Sequence, residues 1–208
     1  MSAADKPHAP STERNREPIL AALRGPFSDR QRLLEIGSGT GQHAVWFAAQ
    51  LDHLSWQCSD LADKLPGIRA WLDDAALPNT PPPLALDVAR GPWPGQRFDA
   101  VFSANTLHIM GWPAVQALFA GLPAVLTDDA VVAIYGPFLR DQQYTSAGDA
   151  AFDAQLCAQD PAMGLRDVEA VDALARRAGL CLVADLAMPA NNALRIWRAA
   201  SPAAPISA

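Results

Sequence analysis

Positive charge is scarce in this sequence, which has two lysines, Lys6 and Lys64, and no run of lysine and arginine. With a formal net charge of -6 and a pI near 5.1, the chain has no basic stripe to neutralise a phosphate backbone. Nucleic acid is therefore not an expected substrate. Cysteine is also sparse. Cys58, Cys157 and Cys181 are odd in number, far apart and without a C-x-x-C pair, so neither a zinc site nor a disulfide framework is expected, and a reducing cytoplasm fits. The N-terminus has no apolar signal core, and no apolar run reaches the length of about 18 residues that a membrane span needs. These absences read as a soluble, unanchored protein without internal repeats.

What is present is organised around Glu35-Ile36-Gly37-Ser38-Gly39-Thr40-Gly41. An apolar run precedes it and a helix-like stretch, residues 42–50, follows, so the sequence reads strand, tight turn, helix. Glycines at alternate positions allow positive φ and let a ligand approach where a Cβ would stand, beside the free N–H groups of a helix start. A dinucleotide fingerprint would need its third glycine at position 42. That position is glutamine, which speaks against a nicotinamide oxidoreductase.

The 208 residues fit one domain, large enough to bury roughly 70% of its unfolded surface. Residues 1–13 are small, polar and proline-containing and read as a disordered lead-in, and residues 201–208 as a disordered tail. A helix is expected from about Arg14, with Asn15 as cap and Pro18 in its first turn. Alternating strands (32–36, 54–58, 84–86, 98–104, 130–135) and helices (42–50, 65–76, 112–122) then describe a parallel sheet. Gly136-Pro137-Phe138 should stop the fifth strand. Residues 139–164 are too long for a βα loop, hold an expected helix over 149–159, and read as a lid that, with the N-terminal stretch near Asn15 and Arg16, closes over a site. A helix over 167–178 and strand-like runs over 180–187 and 193–199 complete the chain as a terminal hairpin. Ligands of such sheets bind outside the carboxyl ends of the strands. Asp60 ends the second strand, nineteen residues after Gly41, where a carboxylate can accept from both hydroxyls of a ribose. Its bland alternative is a helix cap.

The E-x-G-x-G-x-G turn resembles motif I of the class I S-adenosylmethionine-dependent methyltransferases. The order and spacing of the blocks Arg14-Asn15 to Leu20, Leu34 to His43, Trp56 to Asp60, Leu86-Asp87-Val88, Asn105 to Ile109 with Trp112, Tyr135 to Phe138, Gly164 to Asp167 and Met188 to Asn192 resemble the methyltransferase-like 26 family, whose substrate is not established. The resemblance implies a Rossmann-like α/β sandwich: a seven-stranded, mostly parallel sheet with an antiparallel C-terminal strand and helices on both faces. It also implies S-adenosylmethionine as cofactor. Gly37, Gly39 and Gly41 would cradle it, Asp60 hold its ribose, Asp87 with the Val88 amide its adenine, and Asn105 lie beside its methionine part. Glu35 would orient the loop or face the methionine amino group. His108 is the candidate base for an in-line methyl transfer, with Tyr135 pointing into the same cavity; a capping or lining role for His108 stands beside that reading. His43 reads as packing or cofactor-adjacent. The expected function is methylation of a small molecule, the alternative a non-catalytic cofactor-binding scaffold.

Overall fold

Strand β1 (Arg32–Ile36) is an inner strand of the sheet, and its apolar residues Leu33, Leu34 and Ile36 are buried, as a strand covered on both faces requires. The computed structural model describes residues 6–200. In chain order the elements are α1 (Pro10–Leu23), β1, α2 (Gln42–Gln50), β2 (Ser55–Asp60), α3 (Leu65–Ala75), β3 (Leu84–Ala85), β4 (Phe98–Ala104), α4 (Trp112–Val125), β5 (Leu126–Leu139), α5 (Ala147–Gln159), β6 (Arg166–Asp167), α6 (Val168–Arg177), β7 (Leu180–Met188) and β8 (Asn192–Ala199). The sheet runs β3-β2-β1-β4-β5-β8-β7, with β6 pairing β5 off that path. The first five strands in that order are parallel, and β8 is antiparallel to both β5 and β7. This is the expected Rossmann-like sheet, and the terminal hairpin is formed.

Side chains on β5 alternate between two cores. Val131, Ala133 and Tyr135 pack with α1, α2 and α3, while Val132 and Ile134 pack with α4 and α6, the two-residue period of a strand between helical layers. Leu33 and Leu34 divide in the same way. The helices on each face are therefore fixed by the strands' own pattern.

Three local expectations are corrected. The first helix starts at Pro10, not near Arg14, and Asn15 and Pro18 lie inside it. Residues 6–9 before it are held by the contacts described below; the expectations for residues 1–5 and 201–208 fall outside the described residues. Second, β5 does not stop at Gly136-Pro137. It continues to Leu139, pairing Gly136 with Ala193, Pro137 with Asn192 and Phe138 with Arg166. By Pro137 the neighbouring β4 has already ended, so on that side no strand asks for the N–H that proline lacks. Third, α4 runs past Leu122 through Pro123 to Val125.

Candidate functional site

The turn after β1 puts Gly37, Gly39 and Gly41 at φ of +72°, +59° and +90°, and each is needed for a different reason. A Cβ on Gly37 would stand 2.7 Å from Thr106 Cγ2, and one on Gly41 3.1 Å from the Ile68 backbone. These two let the loop after β4 and helix α3 close against the turn. A Cβ on Gly39 would meet nothing within 4 Å, so its open side belongs to whatever enters the cavity. That cavity, of about 810 Å³, is bordered by Gly37 to Thr40, His43, Asp60, Leu61, Asp87, Val88, Asn105 and Ile109 among others.

Asp60, at the end of β2, accepts from the Gly39 amide (2.7 Å) and the Leu61 amide (2.7 Å). The same carboxylate thus pins the middle glycine and faces the cavity with its remaining lone pairs. Burial pushes its pKa up, and the two amides oppose the rise. Asp87 accepts from the Ala89 amide at 3.0 Å in a local turn. Asn105 takes a left-handed conformation (φ +57°), a region asparagine tolerates, and its amide donates to the Tyr135 carbonyl at 2.8 Å. Glu35 does not border the cavity. It is buried behind the turn, accepting from Ser38 Oγ (2.9 Å), Trp56 Nε1 (3.0 Å) and Cys58 Sγ (3.7 Å). Burial pushes its pKa up to about 7.

Part of the cavity wall comes from the stretch read in sequence as a lead-in. Pro7, Ala9, Ser11 and Thr12 border the cavity. The Ala9 amide donates to Gln42 Oε1 (2.6 Å), Trp71 Nε1 donates to the Pro7 carbonyl (2.7 Å), and Pro7 sits over Gly67, where a Cβ would stand 2.6 Å away. Lys6 lies over the Trp71 ring and pairs with Asp74. Gln42, the residue that breaks the dinucleotide spacing, is thus the residue that fastens this strap. The signal was in the sequence, but as a pairing between residues 33 apart.

Neither His108 nor Tyr135 borders the 810 Å³ space. The alternation of β5 sends Tyr135 to the α1 face. There burial raises its pKa while the Asn15 amide beside its hydroxyl lowers it. His108 instead meets the Phe152 ring edge-on (centroids 5.5 Å, 71°) and lies 3.7 Å from the position of a Gly136 Cβ through Nδ1. Burial, with the Arg166 charge nearby, pushes its pKa down to about 4. Residues 139–164 close over this region, not over the cavity: the Gly164 amide donates to the His108 carbonyl (2.9 Å) and Asn191 Nδ2 to Ser146 Oγ (2.9 Å). Arg166 donates to the carbonyls of Leu107 (3.0 Å), Ala162 (2.8 Å) and Met110, bracing the loop after β4.

Two residues without a chemical role in sequence acquire partners. Asn15, inside α1, accepts from His43 Nε2 at 2.7 Å, and Arg16 stacks over the Trp46 ring at 3.9 Å. Among the described residues no group of three or more His, Cys, Asp and Glu could hold a metal ion, and no helix is long and apolar enough to cross a membrane.

Residues 6–199 match the model of a family described as protein of unknown function, DUF938. Solved structures share the fold. An O-methyltransferase family protein from Burkholderia thailandensis is 17% identical with a TM-score of 0.78 over 89% of this chain and 56% of its own. An O-methyltransferase family 2 protein from Planctomyces limnophilus, in complex with apigenin, is 16% identical with a TM-score of 0.71 over 88% of this chain and 61% of its own. An O-methyltransferase from neocarzinostatin biosynthesis, in complex with S-adenosylmethionine and a naphthoic acid, is 15% identical with a TM-score of 0.74 over 91% and 54%. The chain thus spans little more than half the length of these neighbours, and at such identities the likeness is one of fold.

Proposed function

We propose, for a chain that belongs to the DUF938 family of proteins of unknown function, that it is an S-adenosylmethionine-dependent methyltransferase acting on a small acceptor. The finer resemblance to the methyltransferase-like 26 family is part of the same reading. The observation that carries it is the middle of the glycine turn: Gly39 has open space on the side where a Cβ would stand, and its amide is held by the Asp60 carboxylate at the cavity wall. S-adenosylmethionine, when bound, supplies a methyl group on a sulfonium. The chain's own residues do the rest. Gly37 to Gly41 give the backbone room for the methionine part, Asp60 accepts from the ribose hydroxyls, Asp87 and Val88 flank the adenine, and Asn105 faces the methionine side from the end of β4.

The test is titration calorimetry with S-adenosylhomocysteine and, separately, NAD. Heat and a raised melting temperature with the first and neither with the second is expected, a ligand at 100 times its dissociation constant contributing about 2.7 kcal/mol. No binding of S-adenosylmethionine or its demethylated product overturns the reading. One observation favours the second reading, a binding protein without turnover: neither His108 nor Tyr135 borders the cavity. Methylated product from a panel of small phenols, alcohols and amines excludes it.

A further inference from the structure

The wall of the cavity carries one histidine, and it is not the one after β4. His43 stands in the first turn of α2, directly behind the glycine turn, and borders the same space as Gly39 and Asn105. Its ring is fixed from two sides. It stacks on Phe47 (centroids 5.1 Å, 12° between planes) and meets Phe102 edge-on (6.3 Å, 80°), while Nε2 lies 2.7 Å from Asn15 Oδ1. The Asn15 side chain turns its carbonyl oxygen, not its NH₂ group, toward His43. Facing a carbonyl oxygen, Nε2 carries the proton, and the lone pair of the imidazole is left on Nδ1.

We propose that His43, locked by Asn15 as the Nε2–H tautomer, is the group that receives the acceptor, with its Nδ1 lone pair taking a hydrogen bond from the acceptor's O–H. The inference rests on the methyltransferase reading. In the transfer the acceptor oxygen forms its bond to the methyl carbon, and the sulfur–carbon bonding pair returns to sulfur. The O–H proton passes to Nδ1, and the imidazolium then releases it to water. The positive charge that leaves the sulfonium reappears on the imidazolium, so the cavity's net charge is unchanged during the step. Asn15 is a positioning residue that sets which nitrogen is bare.

The chemistry narrows the acceptor. Burial pushes the His43 pKa down to about 4. Of two O–H acceptors the more acidic loses its proton more readily to such a base, so a phenol suits the site better than an aliphatic alcohol. Asp60, Asp63 and Asp87 border the cavity against one ammonium, Lys64, which disfavours an acceptor carrying a carboxylate. Ile109 and Met110, which follow β4 and border the same cavity, suit an aromatic body. The acceptor class is an uncharged phenol.

The experiment uses the full chain saturated with S-adenosylhomocysteine and 4-methylphenol as probe. In histidine-labelled nitrogen NMR, the His43 signals are expected to show a protonated Nε2 and a bare Nδ1, with the Nδ1 signal moving when 4-methylphenol is added. Asn15→Leu should mix the two tautomers. His43→Phe, which keeps the stack on Phe47, should weaken 4-methylphenol about tenfold, the worth of one hydrogen bond to a ring nitrogen, and leave S-adenosylhomocysteine within about threefold. A protonated Nδ1 in the wild type, an Nδ1 signal indifferent to the phenol, or unchanged phenol affinity in His43→Phe overturns the proposal. So does a wild-type protein that binds S-adenosylhomocysteine and not 4-methylphenol. Failure to bind S-adenosylhomocysteine is the separate failure of the methyltransferase reading.

Discussion

Two stretches lie over the carboxyl edge of the sheet, and they cover different things. Residues 6–12 border the cavity and are tied to the glycine-turn helix and to α3 through Gln42, Gly67 and Trp71. Residues 139–164 contribute nothing to that cavity and close instead on His108 and the β7–β8 turn. The longer segment looks like the cover, yet it is the shorter one that borders the cavity. Length and polarity say that a segment lies outside the core; which groove it crosses is set by a few distant partners.

The comparison predicts that cofactor binding depends on the strap and the glycine turn, and hardly on the insertion. The largest effect on affinity is expected at Asp60. Asp60→Ala removes an acceptor for two ribose hydroxyls, each bond to a charged group contributing about 1.5 to 3 kcal/mol, so S-adenosylhomocysteine should weaken about a hundredfold or more. Asp87→Ala should lose less. Calorimetry that finds the two variants equal, or Asp60→Ala equal to wild type, misplaces the ribose.

Next in size is a pH effect at Glu35, beneath the turn. Its carboxyl is held up to about 7 from the ordinary 4.5 by burial. The folded protein keeps the proton where the unfolded chain loses it. The contribution to stability is therefore complete below about pH 4.5 and is lost as pH rises to about 7. Glutamine has no such proton to lose. The stability of Glu35→Gln relative to wild type should rise across that window by about 3 kcal/mol and level off above it. His43 and His108, pushed by burial from 6.5 to about 4, run the other way and lose stability as pH falls from 6.5 toward 4. Denaturation curves at several pH values separate the two; a constant difference between Glu35→Gln and wild type would show that the carboxyl is not raised.

Smaller again is the strap. Gln42→Ala removes the acceptor of the Ala9 amide and should cost about 1 kcal/mol of cofactor affinity, near fivefold, mostly as faster dissociation. Stopped-flow release of S-adenosylhomocysteine measures it. An unchanged release rate means that the strap lies beside the ligand and does not hold it.

The parts of the fold legible in sequence were those with a local cause. The bounds of α2 and β4 follow from the glycine turn and from an unbroken apolar run, and the acids at the ends of β2 and β3 follow from the strand ends themselves. The strand-end position of Asp60, and the family resemblance for Asp87, Val88 and Asn105, pointed to residues that do border the cavity. What could not be read depended on which side of the sheet a residue takes and on partners far along the chain. Tyr135 was expected beside His108, but its place in the alternation of β5 sends it to Asn15. Asn15 looked like a cap because its partner His43 is 28 residues away. Pro137 looked like a strand end because the early end of β4, which makes it tolerable, is a property of the assembled sheet.

The smallest expected effect on the cofactor is at the insertion. Phe152 is 38% exposed and touches the His108 ring edge-on, a contact of about 0.5 to 1.5 kcal/mol beyond its area. Phe152→Ala should lower stability by about that amount at neutral pH and leave S-adenosylhomocysteine affinity within about twofold. It also opens His108 to water, so the imidazole's pKa should climb from about 4 toward its ordinary 6.5. The folded and unfolded values then lie closer, and less stability is lost as pH falls below 6.5. The deficit of Phe152→Ala relative to wild type should therefore be widest near pH 7 and should narrow in acid. Were the cofactor to weaken in this variant as much as in Gln42→Ala, the two stretches would be one cover, and the division of labour between strap and insertion would have to be abandoned.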